Sequence, residues 1–191
     1  SAEEIPLVDG TFASGTSGER VSVLQWPRDE EGFPHREAAR VILIDERNRV
    51  LLVKGHDADN PTRSWWFTVG GGVEDGETSQ ETALREVFEE TGIELSQKEL
   101  VGPIARRQAV FDFKSLIARQ DEEIFWARVQ AQPLSDSHWT PEEQRVIDEY
   151  RWWDLDELEK YAENHEVYPR SLCDLIGQCL HGWDGTVSVI E

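Results

Sequence analysis

The 191 residues include no methionine and only two cysteines, and nineteen basic side chains face thirty-nine acidic ones. Each scarcity excludes something. A chain that starts at Ser1 without methionine is expected to have a processed end, and its opening "SAEEIPLVDG" lacks the basic and apolar regions of a secretory signal. Cys173 and Cys179 stand six residues apart in a predicted helix, about 240° around its axis, so they cannot easily bridge. They read as reduced thiols, which fits a cytoplasmic protein. No run of eighteen apolar residues occurs, so no membrane-spanning helix is expected. The formal charge of −20 argues against a nucleic-acid polymer as partner, because such binding rests on Lys and Arg contacts to phosphates. An acidic chain can still take a phosphorylated small molecule when a metal ion stands between them. Neither an internal repeat nor a low-complexity tract is present.

What is there suits one medium domain with extensions, and 38% hydrophobic residues can build a core. Residues 1–36, rich in Gly and Ser ("DGTFASGTSGER"), read as an N-terminal arm with one strand-like stretch, "VSVLQW". Residues 37–181 read as the domain and 182–191 as a C-terminal tail. "ARVILID" and "RVLLVK" are short apolar runs around the turn-like "ERN", which predicts a hairpin of buried strands. "GHDADNPTRS" predicts a long loop, and "WWFTV" a strand that ends at three glycines. "IARRQAVFDF" and "EEIFWARVQ" alternate as strands around a turn region, "KSLIARQD". "RWWDL" predicts a short strand entering the helix "DELEKYAENH", and Pro169 is expected to open a last helix toward His181. Strands and helices interleave, so the class is α/β or α+β with a mixed sheet.

One segment carries an unusual concentration of charge. "TSQETALREVFEETG" opens with Thr78 and Glu81 in capping-box spacing and closes at Gly92, a suitable C-terminal stop. Leu84, Val87, Phe88 and Thr91 fall on one side of this predicted helix, and Glu86, Glu89 and Glu90 on nearly the opposite side. Like charges at i,i+4 weaken a helix by roughly 0.2–0.5 kcal/mol per pair. Glutamates at i, i+3 and i+4 can converge on a magnesium ion, a hard cation that takes oxygen ligands, and the cation would offset that repulsion. Glycines 70–72 let backbone approach closely, so a carbonyl there could complete the shell. Arg85 can hold Glu77 or Glu86 in a fork-like pair. A Glu-rich helix face is ordinarily just solvated, and a structural salt bridge is a bland alternative for Glu77 and Arg85.

From Gly71 to Ile93 the chain reads "GGVEDGETSQETALREVFEETGI", which resembles the Nudix hydrolase signature. Gly71, Glu77, Arg85, Glu86, Val87, Glu89, Glu90, Gly92 and Ile93 fill its fixed positions. The resemblance implies an α/β/α sandwich with a mixed sheet, and an enzyme that uses Mg²⁺ or Mn²⁺ to hydrolyse the diphosphate bond of a nucleoside diphosphate derivative. It implies Gly70, Glu86, Glu89 and Glu90 as metal ligands, with Arg85 and Glu77 supporting the chemistry. Glu143, in a loop ahead of "RWWDL", is the expected later base, and Glu86 is its main rival.

Signatures that such enzymes use for particular substrates are missing. Where an ADP-ribose subgroup carries a proline, this chain has Ala109, Val110 and Phe111, and the tyrosine associated with dinucleoside polyphosphates is missing there too. The "SQPWPFP"-type and coenzyme A patterns are absent, and Val69 replaces the usual proline before the glycines. Nucleoside triphosphates, ADP-ribose and nucleotide sugars therefore all remain candidate substrates. Arg106 and Arg107 are expected to pair with phosphates and Trp66 to stack a base, against the plainer roles of solvated surface and core packing. His35 and His56 are isolated in sequence and carry no expectation of a metal role. A Nudix-like module that senses a nucleotide without cleaving it is the alternative reading, and the complete signature weighs against it. Structural calcium in an EF-hand is excluded, since "DADNPTRSWWF" has Pro61 and Thr62 where that loop needs other residues. From the resemblance alone, a homodimer through the arm and the last helix is a further expectation.

Overall fold

The computed structural model describes residues 3–4, 11–13, 20–22, 25–56, 60–113, 116–133 and 147–191. In chain order its elements are β1 (Glu3–Glu4), β2 (Thr11–Ala13), β3 (Arg20–Ser22), β4 (His35–Ile44), β5 (Arg49–His56), β6 (Ser64–Gly72) and α1 (Ser79–Thr91). There follow β7 (Val101–Phe113), β8 (Leu116–Arg128), β9 (Ile147–Asp154), α2 (Leu155–Ala162), β10 (Val167–Tyr168), α3 (Leu172–Leu180) and β11 (Ser188–Ile190).

The apolar runs become strands buried on both faces, and their period of two sorts side chains into two cores. On one face Ala39, Val41, Leu43, Leu51, Val53 and Val69 pack with Ala83 and Val87 of α1. On the other, Ile42, Ile44, Val50 and Leu52 pack with Leu158 of α2 and with Leu172, Leu175, Ile176 and Cys179 of α3. Each such aliphatic side chain contributes about 1.5–3 kcal/mol when fully buried. Helices thus cover both faces of one mixed sheet, the α/β/α sandwich that the resemblance implied. The sheet runs β1-β7-β8-β4-β5-β6-β10, with β9 beside β5 and β11 beside β7. No helix among the described residues is long and apolar enough to cross a membrane. Cys173 and Cys179 are both free on α3.

Several expectations need correction. The predicted hairpin of β4 and β5 is joined only near its turn, at Ile44 and Val50. Beyond it β4 runs parallel to β8, from His35 opposite Arg119 to Ile44 opposite Arg128. That ladder holds "LIARQD" in a strand, although its polar residues look turn-like. The glycines do not end β6 but continue it, because β4 supplies partners: Ala38 for Gly72, Ala39 for Gly71 and Arg40 for Gly70. Pro169 does not open α3; its carbonyl accepts from the Leu172 N–H in a turn that precedes the helix. The stretch expected as a tail includes β11, which pairs parallel with residues 105–107 of β7.

Candidate active site

Helix α1 is fixed at both ends, which sets where its acids point. The Thr78 side chain accepts from the Glu81 N–H at 3.1 Å while the Glu81 carboxylate accepts from the Thr78 N–H, completing the capping box. At the other end Gly92 adopts φ +79°, and its N–H donates to the Phe88 carbonyl at 2.8 Å. The expected division of faces is only partly right. Val87 and Thr91 are buried, but Phe88 is 41% exposed and Leu84 only half-buried. The buried face includes Glu86 and Glu90, at 1% and 7% exposure, because β6 opposite them ends in glycine backbone that leaves room for carboxylates.

The glycines make that room specifically. A Cβ on Gly71 would overlap the Glu86 carboxylate, and one on Gly70 would overlap the β4 backbone at Ala39 and Arg40. The Gly70 N–H donates to Glu90 Oε2 at 3.0 Å. Its carbonyl, expected as a metal ligand, accepts from Arg40 Nη1 at 3.2 Å.

Arg85 is the hub of the cluster. Its Nε and Nη2 grip both oxygens of Glu77 at 2.6 and 2.8 Å, the fork-like pair that sequence spacing allowed. Nη1 donates to Glu86 Oε1 at 2.9 Å and to Glu89 Oε2 at 3.4 Å, and Nη2 also reaches the Gly72 carbonyl at 3.1 Å. Burial acts to raise the Glu77 pKa, but hydrogen bonds from Arg85, Thr82 and the Glu74 backbone outweigh it and hold the carboxyl down at about 2. Burial likewise opposes the charge on Arg85, yet the Glu77, Glu86 and Glu74 carboxylates push its pKa above the usual arginine value.

Among the described residues, no three Asp, Glu, His or Cys side chains converge as a ready metal cage. The donor set nonetheless fits a hard divalent cation. Buried carboxylates are paired or coordinate metals, and here the buried Glu86 shares the guanidinium of Arg85 with the half-buried Glu77 and Glu89. Glu86, Glu89 and Glu90 would supply oxygens by rotating about a helix whose backbone is already in place.

A cavity of about 1030 Å³ opens beside the loop 72–77, lined by Trp26, His35, Arg36, Glu37, Asp75 and Asp121 among others. Burial and the neighbouring Arg40 push the Arg36 pKa down to about 9, against the pull of Glu86 and Glu122. The Arg36 guanidinium lies 4.4 Å from the centre of the Trp26 ring. His35, isolated in sequence, is not isolated in space: its ring nitrogens contact Asp29 at 3.0 Å and Asp121 at 2.7 Å.

The structure thus brings together Gly70, Glu77, Arg85, Glu86, Glu89 and Glu90. Glu143 lies outside the described residues. Of the three residues expected at substrate, two line a cavity and one packs in the core. Trp66 packs in the core edge-on to Trp153, with ring centres 5.2 Å apart. Arg107 is buried and donates to Glu122 at 2.7 Å, since its side of β7 faces the sheet interior. Arg106 is exposed and paired with Glu123 at 3.2 Å, on the wall of a second cavity of about 540 Å³. Sequence reasoning passed over Arg36 and Arg40. Arg40 carried a signal, being a charge at the second position of the apolar run "ARVILID".

The family model described as the NUDIX domain matches residues 34–174. An RNA pyrophosphohydrolase of Dinoroseobacter shibae is 36% identical over 75 residues, which cover 39% of this chain and 45% of that protein. Another, from Sphingopyxis alaskensis, is 29% identical over 142 residues, 69% of this chain and 85% of that one. The chain spans less than half the length of several curated relatives it matches. Among solved structures, the MutT protein of Bacillus halodurans superposes with a TM-score of 0.52 at 24% identity, over 77% of this chain and 83% of that one, a likeness of fold. The signature, the sandwich and the family match agree: this chain belongs to the NUDIX domain family.

Proposed function

We propose that the protein is a pyrophosphohydrolase that uses Mg²⁺ or Mn²⁺ to cleave the diphosphate bond of a small nucleotide. The observation that carries this reading is the acid cluster at α1 and the loop before it, in which Glu77, Glu86 and Glu89 share Arg85 while Glu90 reaches the Gly70 backbone. Several relatives are named RNA pyrophosphohydrolases. For this chain the charge of −20 favours a small nucleotide over an RNA end, since a longer anionic strand would meet more repulsion. The cavity beside loop 72–77, at about 1030 Å³, is large enough for a nucleotide.

In this reading Glu86, Glu89 and Glu90 hold the cation, with a carbonyl of the glycine run. A bound divalent ion polarises phosphoryl oxygens and offsets the charge that develops as water attacks phosphorus. Arg85 fixes the rotamers of Glu77 and Glu86 and keeps Glu77 ionised as a brace. Arg36 and Arg106 face the two cavities as cationic partners for phosphate oxygens. A carboxylate near the attacking water takes its proton, with Glu143 ahead of Glu86 in this role.

The test is a panel of nucleoside triphosphates (oxidised forms included), ADP-ribose, nucleotide sugars and 5′-triphosphorylated RNA, incubated with Mg²⁺ or Mn²⁺ and resolved by chromatography. Release of phosphate, diphosphate or a nucleoside monophosphate from a small nucleotide is expected. Saturable nucleotide binding with no product under any condition would replace the enzyme with a sensor module.

A further inference from the structure

Beneath the α1 acids lies a second set of charges that the reaction does not use directly. Arg40 is 6% exposed, in the middle of an apolar strand. Its Nε donates to Glu122 Oε2 at 3.2 Å, and its Nη1 donates to the carbonyls of Gly70 at 3.2 Å and Thr68 at 3.4 Å. Glu122, 3% exposed, is held in turn by Arg107 at 2.7 Å and by the Gln120 amide at 2.6 Å. A buried arginine is costly unless its donors are used, and here the donors end on the backbone that meets the acids.

We infer that Arg40 is a positioning residue for the cation site, acting through Gly70. The residue stands between two sets of bonds: its carbonyl is gripped by Arg40 and its N–H by Glu90. Gly70 has φ +150°, and no side chain fits there because Ala39 and Arg40 fill the space a Cβ would need. A backbone of this freedom would sample other orientations without a partner on its carbonyl. Arg40, locked by Glu122, removes that freedom. The route therefore runs from Arg107 on β7 through Glu122 on β8 and Arg40 on β4 to Gly70 on β6, and ends at Glu90. A flat guanidinium suits this place because it serves a carboxylate and two carbonyls at once, which a lysine ammonium could not do in the same geometry.

The inference rests on the proposed cation site, and the experiment separates the two. Mn²⁺ affinity is measured directly by electron paramagnetic resonance on the wild type, Arg40→Lys, and the double variant Arg40→Met with Glu122→Gln, which removes one buried charge of each sign, leaves no unpaired carboxylate and gives Arg107 an amide oxygen as acceptor. Folding is followed by circular dichroism. Partners of metal ligands typically change affinity by about 10–100-fold. The double variant is expected to melt cooperatively and to bind Mn²⁺ at least about tenfold more weakly, with Arg40→Lys in between. A folded double variant that binds Mn²⁺ as tightly as the wild type would overturn the positioning role alone. A wild type that binds no Mn²⁺ would overturn the cation site and this inference with it.

Discussion

Two clusters of arginine and glutamate lie inside this molecule, balanced in opposite senses. Around α1, Arg85 faces Glu77, Glu86 and Glu89 at 3.4 Å or less, so negative charge is left over. In the sheet, Glu122 is shared by Arg40 and Arg107, so positive charge is left over. The sheet cluster closes on itself: its spare donors go to backbone carbonyls and its carboxylate is saturated. The helix cluster lies next to a large cavity, and Arg36 on the wall of that cavity is a second cation that Glu86 attracts. Similar ingredients thus build a brace in one place and a receptor for a cation in the other.

The sharpest way to break this comparison is to remove one ligand. Glu90→Gln keeps the size of the side chain and its acceptor for the Gly70 N–H but loses the charge. Turnover should fall by about a hundredfold or more, beyond what partners of ligands cost, with the melting curve nearly unchanged. Wild-type activity in that variant would show that Glu90 holds no cation.

Stability should separate the clusters next. Glu122→Gln strands two buried guanidinium groups and should cost about 3 kcal/mol in urea unfolding. Magnesium should not restore that loss. Arg85→Met removes the guanidinium that joins Glu77, Glu86 and Glu89 and should also destabilise, but Mg²⁺ should recover much of the deficit by taking its place among the carboxylates. Equal responses to Mg²⁺ would erase the distinction between brace and receptor.

Acid should act on both in the same direction. Glu77 is depressed from 4.5 to about 2, and Glu122 is also depressed: burial acts to raise it, but Arg107 and Arg40 prevail. A carboxylate whose folded pKa is lowered stabilises fully above its unfolded value and loses that contribution as pH falls through the folded one. Stability should therefore decline from pH 4.5 toward pH 2, and Glu77→Gln should flatten the slope in denaturant melts across that window. An unchanged slope would mean that the Arg85 fork does not hold in solution. The smallest effect belongs to Arg106, whose pair with Glu123 is exposed: Arg106→Ala should alter stability by about 0.5 kcal/mol or less.

How much of this was legible in sequence depends on the range of the forces involved. The helix caps, the Arg85 fork and the apolar strands are local patterns, and the structure keeps them. The burial of Glu86 and Glu90 was not legible, because it depends on β4 continuing the ladder along Gly70–Gly72. Phe88 was placed inward by helical periodicity alone, whereas the docking of α1 turns Glu86 and Glu90 inward instead. Arg107 looked like a phosphate contact because the side of β7 that faces inward is set by register with β8, at Glu122. Trp66 looked equally suited to a base or to the core, and only the packing of α2 and α3 decides for the core.

The most direct test of the central claim is a calorimetric titration of Mg²⁺ into wild-type protein and Glu90→Gln, paired with phosphorus NMR of a nucleoside triphosphate in the same samples. The account predicts that the wild type binds Mg²⁺ and cleaves the nucleotide between phosphates, and that the variant does neither well. Cleavage by the wild type at full rate in the presence of excess chelator would contradict it.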